Sequence, residues 1–427
     1  MTTDVPPGAG WFPLVPSASV RDVPVEAEAG GVRWVAYRPA PELAAAVVEA
    51  RCPHRLVRLA HGTVVDGRLQ CPYHGWQFEP GGACAVVPSN GPDAAVPPRA
   101  HLRAPWGVRE HEGIVWVAPV EPGTGPAEPD RRARDDLLTN LDPSLRSGWH
   151  PVALVPELTA GADPLTVRLL GDELRVRRTE TGAPVVDPAP AALAERYGVV
   201  WVALEQPRVP LIDVPEDDDL AFAQGWLDPE RSASPAGVLA ENFLDVAHFP
   251  FVHAGTFGAA EERYVAPFEV ERVDGGLTSV QEQWFDNPGD PGVAAGVRPV
   301  RQRRRATYVY RWPFQLSLRL EELDAGAVKT ILFALQPESA DSTRIYTKML
   351  LHGIGGVAVP PPDVVAAEVA FEVAVLAEDL RLQQAMSVRG LPLRLRDELH
   401  VRSDRSGVAL RRVLADFQVP TAAAATR

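Results

Sequence analysis

The chain reads Cys52-Pro53-His54-Arg55 and then, further on, Cys71-Pro72-Tyr73-His74-Gly75-Trp76. The pattern is Cys-x-His, sixteen intervening residues, and Cys-x-x-His. Each pair fits the tip of a hairpin loop, where proline and glycine set the backbone. Two such loops facing each other can hold one inorganic cluster between them. Two thiolates and two imidazoles suit a two-iron cluster in which one iron takes both sulfurs and the other both nitrogens. Neutral imidazoles in place of two thiolates remove negative charge and raise the reduction potential. A structural zinc site is the rival reading. Its usual Cys-x2-4-Cys spacing is absent, and zinc would not require the Pro and Gly-Trp neighbours.

The surrounding residues read as strands. Gly31 to Tyr37, Ala46 to Glu49, Arg68 to Cys71 and Gly113 to Ala118 are rich in Val, Trp and Tyr, with Gly, Pro and Asp between them. This is the signature of an all-β domain. Over residues 10 to 122 the chain resembles Rieske iron–sulfur domains, on Cys-Pro-His-Arg and Cys-Pro-Tyr-His-Gly-Trp. The resemblance implies a [2Fe-2S] cluster with Cys52 and Cys71 on one iron and His54 and His74 on the other. His61 matches no ligand position and reads as a surface or hydrogen-bonding residue. Cys84 reads as a small buried hydrophobe.

A second concentration of ligating groups lies at Ala240 to Gly258, in A-E-N-F-L-D-V-A-H-F-P-F-V-H-A-G-T-F-G. Asn242, Asp245 and His248 recur at a spacing of three, which follows one side of a helix. Pro250 is expected to end or kink that helix near Phe249, letting His253 turn toward the same point as His248. Two histidines and a carboxylate bind one face of Fe(II) and leave the other positions open for O2 and substrate. The third ligand is sought in Leu376 to Gln383, where two carboxylates lie in a helical stretch. Asp379 is the expected ligand and Glu378 the alternative. Asp245 is the expected conduit between the centres, accepting hydrogen bonds from His248 and His74.

Residues 208 to 427 resemble the catalytic domain of Rieske non-haem iron oxygenases, on Asn242-x-x-Asp245-x-x-His248-x4-His253. Glu378-Asp379 is similar to the late acidic helix motif of the monooxygenase and demethylase branch. The resemblance implies a helix-grip, START-like catalytic domain and a mononuclear Fe(II). It also implies a head-to-tail homotrimer, in which Asp245 bridges the cluster of one subunit to the iron of the next.

Residues 126 to 207 depart from that family pattern. Gly148-Trp149-His150-Pro151-Val152 echoes Gly10-Trp11-Phe12-Pro13-Leu14, and Tyr197 to Ala203 echoes Glu112 to Ala118. Trp11 and Trp116 stand 105 residues apart, Trp149 and Trp201 only 52. The missing length is that of the cluster loops, and the second block has no Cys. It reads as a degenerate Rieske-like β-domain without a cluster. The fold class is therefore α+β, with a Rieske domain at 1–125, the degenerate domain at 126–207 and the catalytic domain at 208–427.

In the last of these, strands are expected at Phe268 to Val273, Thr307 to Phe314, Leu316 to Leu320, Lys329 to Leu335 and Thr343 to Leu351. Arg298 to Arg305, with five arginines in eight residues, reads as an exposed strand end or a docking surface for an acidic redox partner. Helices are expected from Asp363 to about Val388 and from Asp397 to Phe417. Residues 123 to 147, with the charged run Asp130 to Asp136, read as a solvated linker and Val419 to Arg427 as a frayed tail.

A net charge of −14 argues against nucleic-acid binding. No apolar run reaches membrane-spanning length, and neither a signal peptide nor a disulfide framework is expected. These point to a cytoplasmic protein. The expected function is an oxygenase component using O2 and electrons from NAD(P)H on a small organic substrate. With no dinucleotide-binding G-x-G-x-x-G after a strand, a separate reductase or ferredoxin is expected. Hydroxylation, demethylation and amine N-oxygenation share one such iron site. An electron-transfer protein with a non-catalytic iron site is the alternative.

Overall fold

A computed structural model describes residues 8–125, 137–259, 261–287, 290–386 and 388–418. Asp130 to Asp136 and the tail from Val419 lie outside the described residues.

The first domain is three antiparallel sheets. Phe12–Pro16, Ile114–Ala118 and Gly107–His111 form one. Val25–Ala29, Val32–Tyr37 and Ala46–Glu49 form the second. The third runs Thr63–Val65, Arg68–Gln70, Gln77–Phe78 and Cys84–Val86. Trp34, Val35, Tyr37 and Trp76 are fully buried, as expected for strands whose β-branched and aromatic residues fill a small β core.

Residues 150–203 form two three-stranded sheets whose strand order parallels the first two sheets. His150–Leu154, Val199–Ala203 and Ala192–Arg196 pair in the same order as the first sheet. Leu165–Leu169, Asp172–Arg178 and Pro184–Asp187 form a three-stranded counterpart of the second. A one-residue irregularity falls between Pro13 and Val15 in the first copy and between Pro151 and Ala153 in the second. The hairpin turns also match: Glu112-Gly113 and Tyr197-Gly198 all have positive φ. A turn of this kind suits glycine at its second position.

This β module is fastened to the catalytic half. Leu170 and Gly171 donate backbone hydrogen bonds to Pro337 and Glu338 at 2.7 and 3.0 Å. Leu154, Tyr197, Val199 and Trp201 share one apolar cluster with Leu332, Ala334, Tyr346 and Leu350. The linker expected over residues 123–147 is not a solvated connector from 137 onward: Leu137–Leu138 pairs with Leu391–Pro392, and Asn140 is buried and donates to Thr343 Oγ1 at 2.9 Å.

The catalytic half is built on an eight-stranded antiparallel sheet. Its order is Ala223–Trp226, Ser342–His352, Val328–Ser339, Gln315–Glu322, Arg301–Arg311, Gly276–Asp286 and Glu269–Val273, with Glu230–Ser232 also paired to Ser342–His352. The long helix Pro362–Met386 packs Val365, Val369 and Leu376 against Leu227, Met349 and Leu351 of this sheet. Among the described residues no helix is long and apolar enough to cross a membrane.

Several sequence expectations need correction. The helix expected to carry Asn242, Asp245 and His248 together spans only Ala236–Leu244. Asp245 is its C-cap in extended backbone, and His248 begins a separate short helix, Phe249–Val252. Pro250 lies in the first turn of that helix, where its missing N–H costs nothing, so it opens an element rather than closing one. The last helix starts at Arg405, not Asp397. The basic cluster is in line with the strand-end reading: Arg301 to Arg305 is the first part of strand Arg301–Arg311, Arg301 and Arg303 are exposed, and Arg301, Arg304 and Arg305 pair with Glu262, Glu322 and Glu282.

Candidate functional site

Two ligand clusters lie beside each other at the junction of the first domain and the catalytic half. In the first, Cys52 and Cys71 are both 1% exposed. Each sits at the start of a tight loop: Cys52 N–H donates to Val57 O at 3.0 Å, and Cys71 N–H to Trp76 O at 2.8 Å. His54 Nδ1 and His74 Nδ1 face each other at 3.1 Å. The two hairpins therefore aim two sulfurs and two Nδ1 atoms inward, as the sequence spacing demands. Trp76 stacks on His54 at 4.7 Å between ring centroids. Burial pushes the His54 imidazole down to about 3, so the ring is neutral. A neutral imidazole is the form a metal requires.

With Nδ1 turned inward, each ring presents Nε2–H outward, and each meets a carboxylate of the catalytic half. His74 Nε2 lies 2.8 Å from Asp245 Oδ2. His54 Nε2 lies 3.0 Å from Asp404 Oδ2.

The second cluster is a triangle. His248 Nε2 stands 3.1 Å from His253 Nε2, and Asp379 Oδ1 stands 3.4 and 3.5 Å from those two nitrogens. Two ligands about 2.1 Å from one ion and at right angles stand about 3 Å apart, so the triangle needs little contraction to close on a metal. The end of the helix at Leu244 and the restart at Phe249 turn the two histidines toward each other. Asp379 arrives from the middle of the long helix.

The outer nitrogens also support a metal. His253 Nδ1 pairs with Glu378 Oε2 at 2.9 Å, and Thr256 Oγ1 donates to the same oxygen at 2.8 Å. His248 Nδ1 stands 3.7 Å from Asp245 Oδ1, beyond hydrogen-bond reach, so of the two bonds expected at Asp245 only the one from His74 is made here. Carboxylates behind ligating imidazoles fix the tautomer and the ring plane. Glu378, the alternative ligand by sequence, thus backs His253 instead of entering the triangle. Burial disfavours the charge on Asp379, but His248 and His253 outweigh it and hold its carboxyl well below the usual carboxylate range. Burial works against Asp245 too, and His74 and His248 together keep it ionised.

Asn242 Nδ2 donates to Asp379 Oδ1 at 3.1 Å and lies 3.5 Å from His248 Nε2. Gln383 Nε2–H donates to Asn242 Oδ1. Asn242 therefore steadies the carboxylate and faces the triangle. It also lines a narrow cleft beside Asp379, with Phe243, Phe333, Thr347 and Glu372. Phe243 and Phe333 stack at 4.7 Å. Thr347 Oγ1 is buried and finds no hydrogen-bond partner among the described residues. Burial raises the Glu372 carboxyl above its ordinary value.

Sequence reasoning missed Asp404 and the ion network around it. Arg55, 2% exposed, lies 3.4 Å from Glu241, 3.5 Å from Glu398 and 3.4 Å from Asp404. Arg411 contacts Glu241 and Glu398 from the other side. No local pattern distinguishes these residues; only the folded chain brings them to one point. His61 is exposed, as expected. Cys84 is half-buried rather than buried; burial still pushes its thiol up to about 12, and Cys52 adds to the effect.

Comparison with known proteins agrees with this geometry. Residues 10–103 match the Rieske [2Fe-2S] domain, and residues 232–418 match the vanillate O-demethylase oxygenase C-terminal domain. The chain is 30% identical over 282 residues to "Probable methylxanthine N7-demethylase NdmC" of Pseudomonas sp. (strain TJI-51), covering 64% of this chain and 94% of that one. It is 22% identical over 368 residues to "Methylxanthine N1-demethylase NdmA" of Pseudomonas putida, covering 86% and 76%. It is 38% identical over 108 residues to "Protein TIC 55, chloroplastic" of Pisum sativum, where it covers 25% of this chain and only 19% of the plant protein. The cofactors that fit are a [2Fe-2S] cluster and one mononuclear iron. With a matching cluster domain, a matching oxygenase domain and a demethylase relative covered almost end to end, this chain belongs to the Rieske non-haem iron oxygenases, in their demethylase branch.

Proposed function

We propose that this chain is the oxygenase component of a demethylase acting on a small, flat aromatic or heterocyclic substrate that bears an N- or O-methyl group. When bound, the cluster and the iron supply single electrons and O2 activation. In the net reaction, O2, two electrons and two protons convert the methyl compound to its demethylated product, formaldehyde and water. Cys52, Cys71, His54 and His74 are the proposed cluster ligands. His248, His253 and Asp379 are the proposed iron ligands.

The observation that carries this reading is the position of the cleft. Asp379 and Asn242 belong both to the triangle's surroundings and to the cleft wall, so the cleft adjoins the triangle and a group entering it would lie beside the proposed iron. Phe243 and Phe333, stacked on each other, make that side of the cleft aromatic and apolar, which suits a flat apolar ring. Thr347 offers a hydroxyl whose hydrogen bond is unmade among the described residues. A ring carbonyl or ring nitrogen satisfies it. The methylxanthine relatives named above support a substrate of that shape.

The electrons come from NAD(P)H through a separate reductase or ferredoxin, because the chain carries no dinucleotide-binding glycine motif of its own. We read the block 126–207 as a degenerate, clusterless Rieske-like domain; the shared strand order, irregularity and turns of residues 150–203 support this. The protein is read as cytoplasmic.

The test is a screen of N-methyl and O-methyl aromatics with a surrogate ferredoxin–reductase pair. The reading requires one formaldehyde per O2 and per NAD(P)H consumed. Hydroxylated product with no formaldehyde, across a panel that includes methylated purines, contradicts it.

A further inference from the structure

We propose that Glu372 sets the substrate class: its carboxyl accepts a hydrogen bond from an N–H of the substrate, so the cleft takes neutral or cationic nitrogen heterocycles and rejects aromatic carboxylates. This rests on the function proposed above and narrows the substrate of the same site.

The long helix Pro362–Met386 turns one stripe toward the sheet, with Val365, Glu368, Val369, Glu372, Leu376 and Asp379 at helical spacing. A face that a helix buries is normally apolar, so each carboxylate on it calls for a partner. Glu368 has one in Lys329, on the strand Val328–Ser339. Asp379 is committed to the triangle. Glu372 is half-buried and lines the cleft, and among the described residues no hydrogen bond or ion pair reaches its carboxyl. Burial raises that carboxyl above its ordinary value, and Lys329, the cation that offsets the effect, is already held by Glu368.

A second unmet group lines the same cleft. Thr347 is the direct cross-strand partner of Phe333, so both side chains leave the sheet on one face. Thr347 is 3% exposed, and its Oγ1 has no hydrogen-bond partner among the described residues. A hydroxyl donates or accepts, whereas an ionised carboxylate only accepts. Glu372 is therefore the stricter of the two. It requires a donor, and a ligand N–H meets that requirement with a charge-assisted bond. The described residues lining the cleft include Glu372 and Asp379 but no lysine, arginine or histidine. An anionic ligand would bring a further negative charge beside Glu372 with no cation on the wall, an arrangement that discriminates against it.

The test is equilibrium dialysis of the metal-loaded protein against three flat probes. These are theobromine, with one ring N–H; caffeine, in which a methyl replaces that hydrogen; and 4-methoxybenzoate, an anion. Theobromine should bind about tenfold tighter than caffeine, the gain expected from one hydrogen bond to a charged group, and 4-methoxybenzoate should bind weakest. Glu372→Leu removes the acceptor, and the two purines should then bind alike. Glu372→Gln removes the charge and keeps the shape, and 4-methoxybenzoate should bind at least about fivefold tighter than it does to the parent. Both variants should melt no lower than the parent, since the fold gives this carboxyl no partner to lose. A purine preference under about twofold in the parent, or one that survives Glu372→Leu, overturns the proposal. So does 4-methoxybenzoate that binds as tightly as theobromine or gains nothing from Glu372→Gln, and so does a failure of every probe to bind. A variant that unfolds or melts well below the parent overturns it too, because the carboxyl would then serve the fold. Dialysis needs no turnover. Selective binding without formaldehyde would count against the demethylase reading alone. Formaldehyde from 4-methoxybenzoate would overturn this selection and leave that reading standing.

Discussion

His74 Nε2 and Asp245 Oδ2 lie 2.8 Å apart, and the other oxygen of the same carboxylate, Oδ1, stands 3.7 Å from His248 Nδ1. One side chain thus faces a cluster-ligand candidate and an iron-ligand candidate. Asp245 Oδ1 also accepts the Ala247 N–H at 2.7 Å, which holds the turn between the two short helices. Asp245→Asn keeps an oxygen for that turn but loses the charge that both imidazoles need. Turnover should fall about 10- to 100-fold while both metal centres load, the range seen when a carboxylate behind a metal ligand is removed. Reductase-driven kinetics beside iron content checks this; unchanged turnover contradicts the bridge.

Cys52→Ser should abolish the visible absorption of the cluster and leave the mononuclear site able to bind iron. Cys52 is buried beside Cys71 and its loop is closed by the Val57 carbonyl, so serine fits the space but lacks the thiolate. The absorption spectrum of the purified variant is the measurement. An unchanged spectrum contradicts the ligand assignment.

Legibility followed the range of the interactions. The cluster hairpins are readable because four ligands and their Pro and Gly neighbours fall within 25 residues. His248 and His253 are readable for the same reason, and Asp379 through its resemblance to a known helix motif. The break at Leu244 is not, because Asn-Phe-Leu-Asp-Val-Ala-His continues a helical spacing and nothing local announces the extended Asp245. Asp404 is not, because its partner His54 lies 350 residues away. Strand Gly276–Asp286 is hidden because Val280 and Trp284 are exposed beside Glu282 and Asp286 while Ser279 is buried, so no apolar–polar alternation announces it.

Thr347→Val should raise KM about fivefold with little change in kcat, the loss expected from one neutral hydrogen bond of about 1 kcal/mol. Valine is nearly the same shape, and Thr347 Oγ1 makes no hydrogen bond among the described residues that would be lost. A KM that does not move would remove Thr347 from substrate recognition.

Cys84 should resist alkylation. With its thiol pushed up to about 12, it is almost wholly protonated at pH 8, and reactivity recovers only as the pH climbs toward that value. At pH 8 the folded holoprotein should react with iodoacetamide at Cys84 more than about 100-fold slower than a free cysteine of pKa about 8.5. Peptide mass spectrometry reads this directly, and rapid labelling at Cys84 would contradict the burial.

The account rests on two separate metal centres in one chain, and the most direct test is the metal inventory of the protein with and without Asp379. The parent should hold about three irons and about two acid-labile sulfides per chain, and Asp379→Ala should hold about two of each with an unchanged cluster spectrum. A parent with two irons, or one with zinc in place of iron at either site, would contradict it.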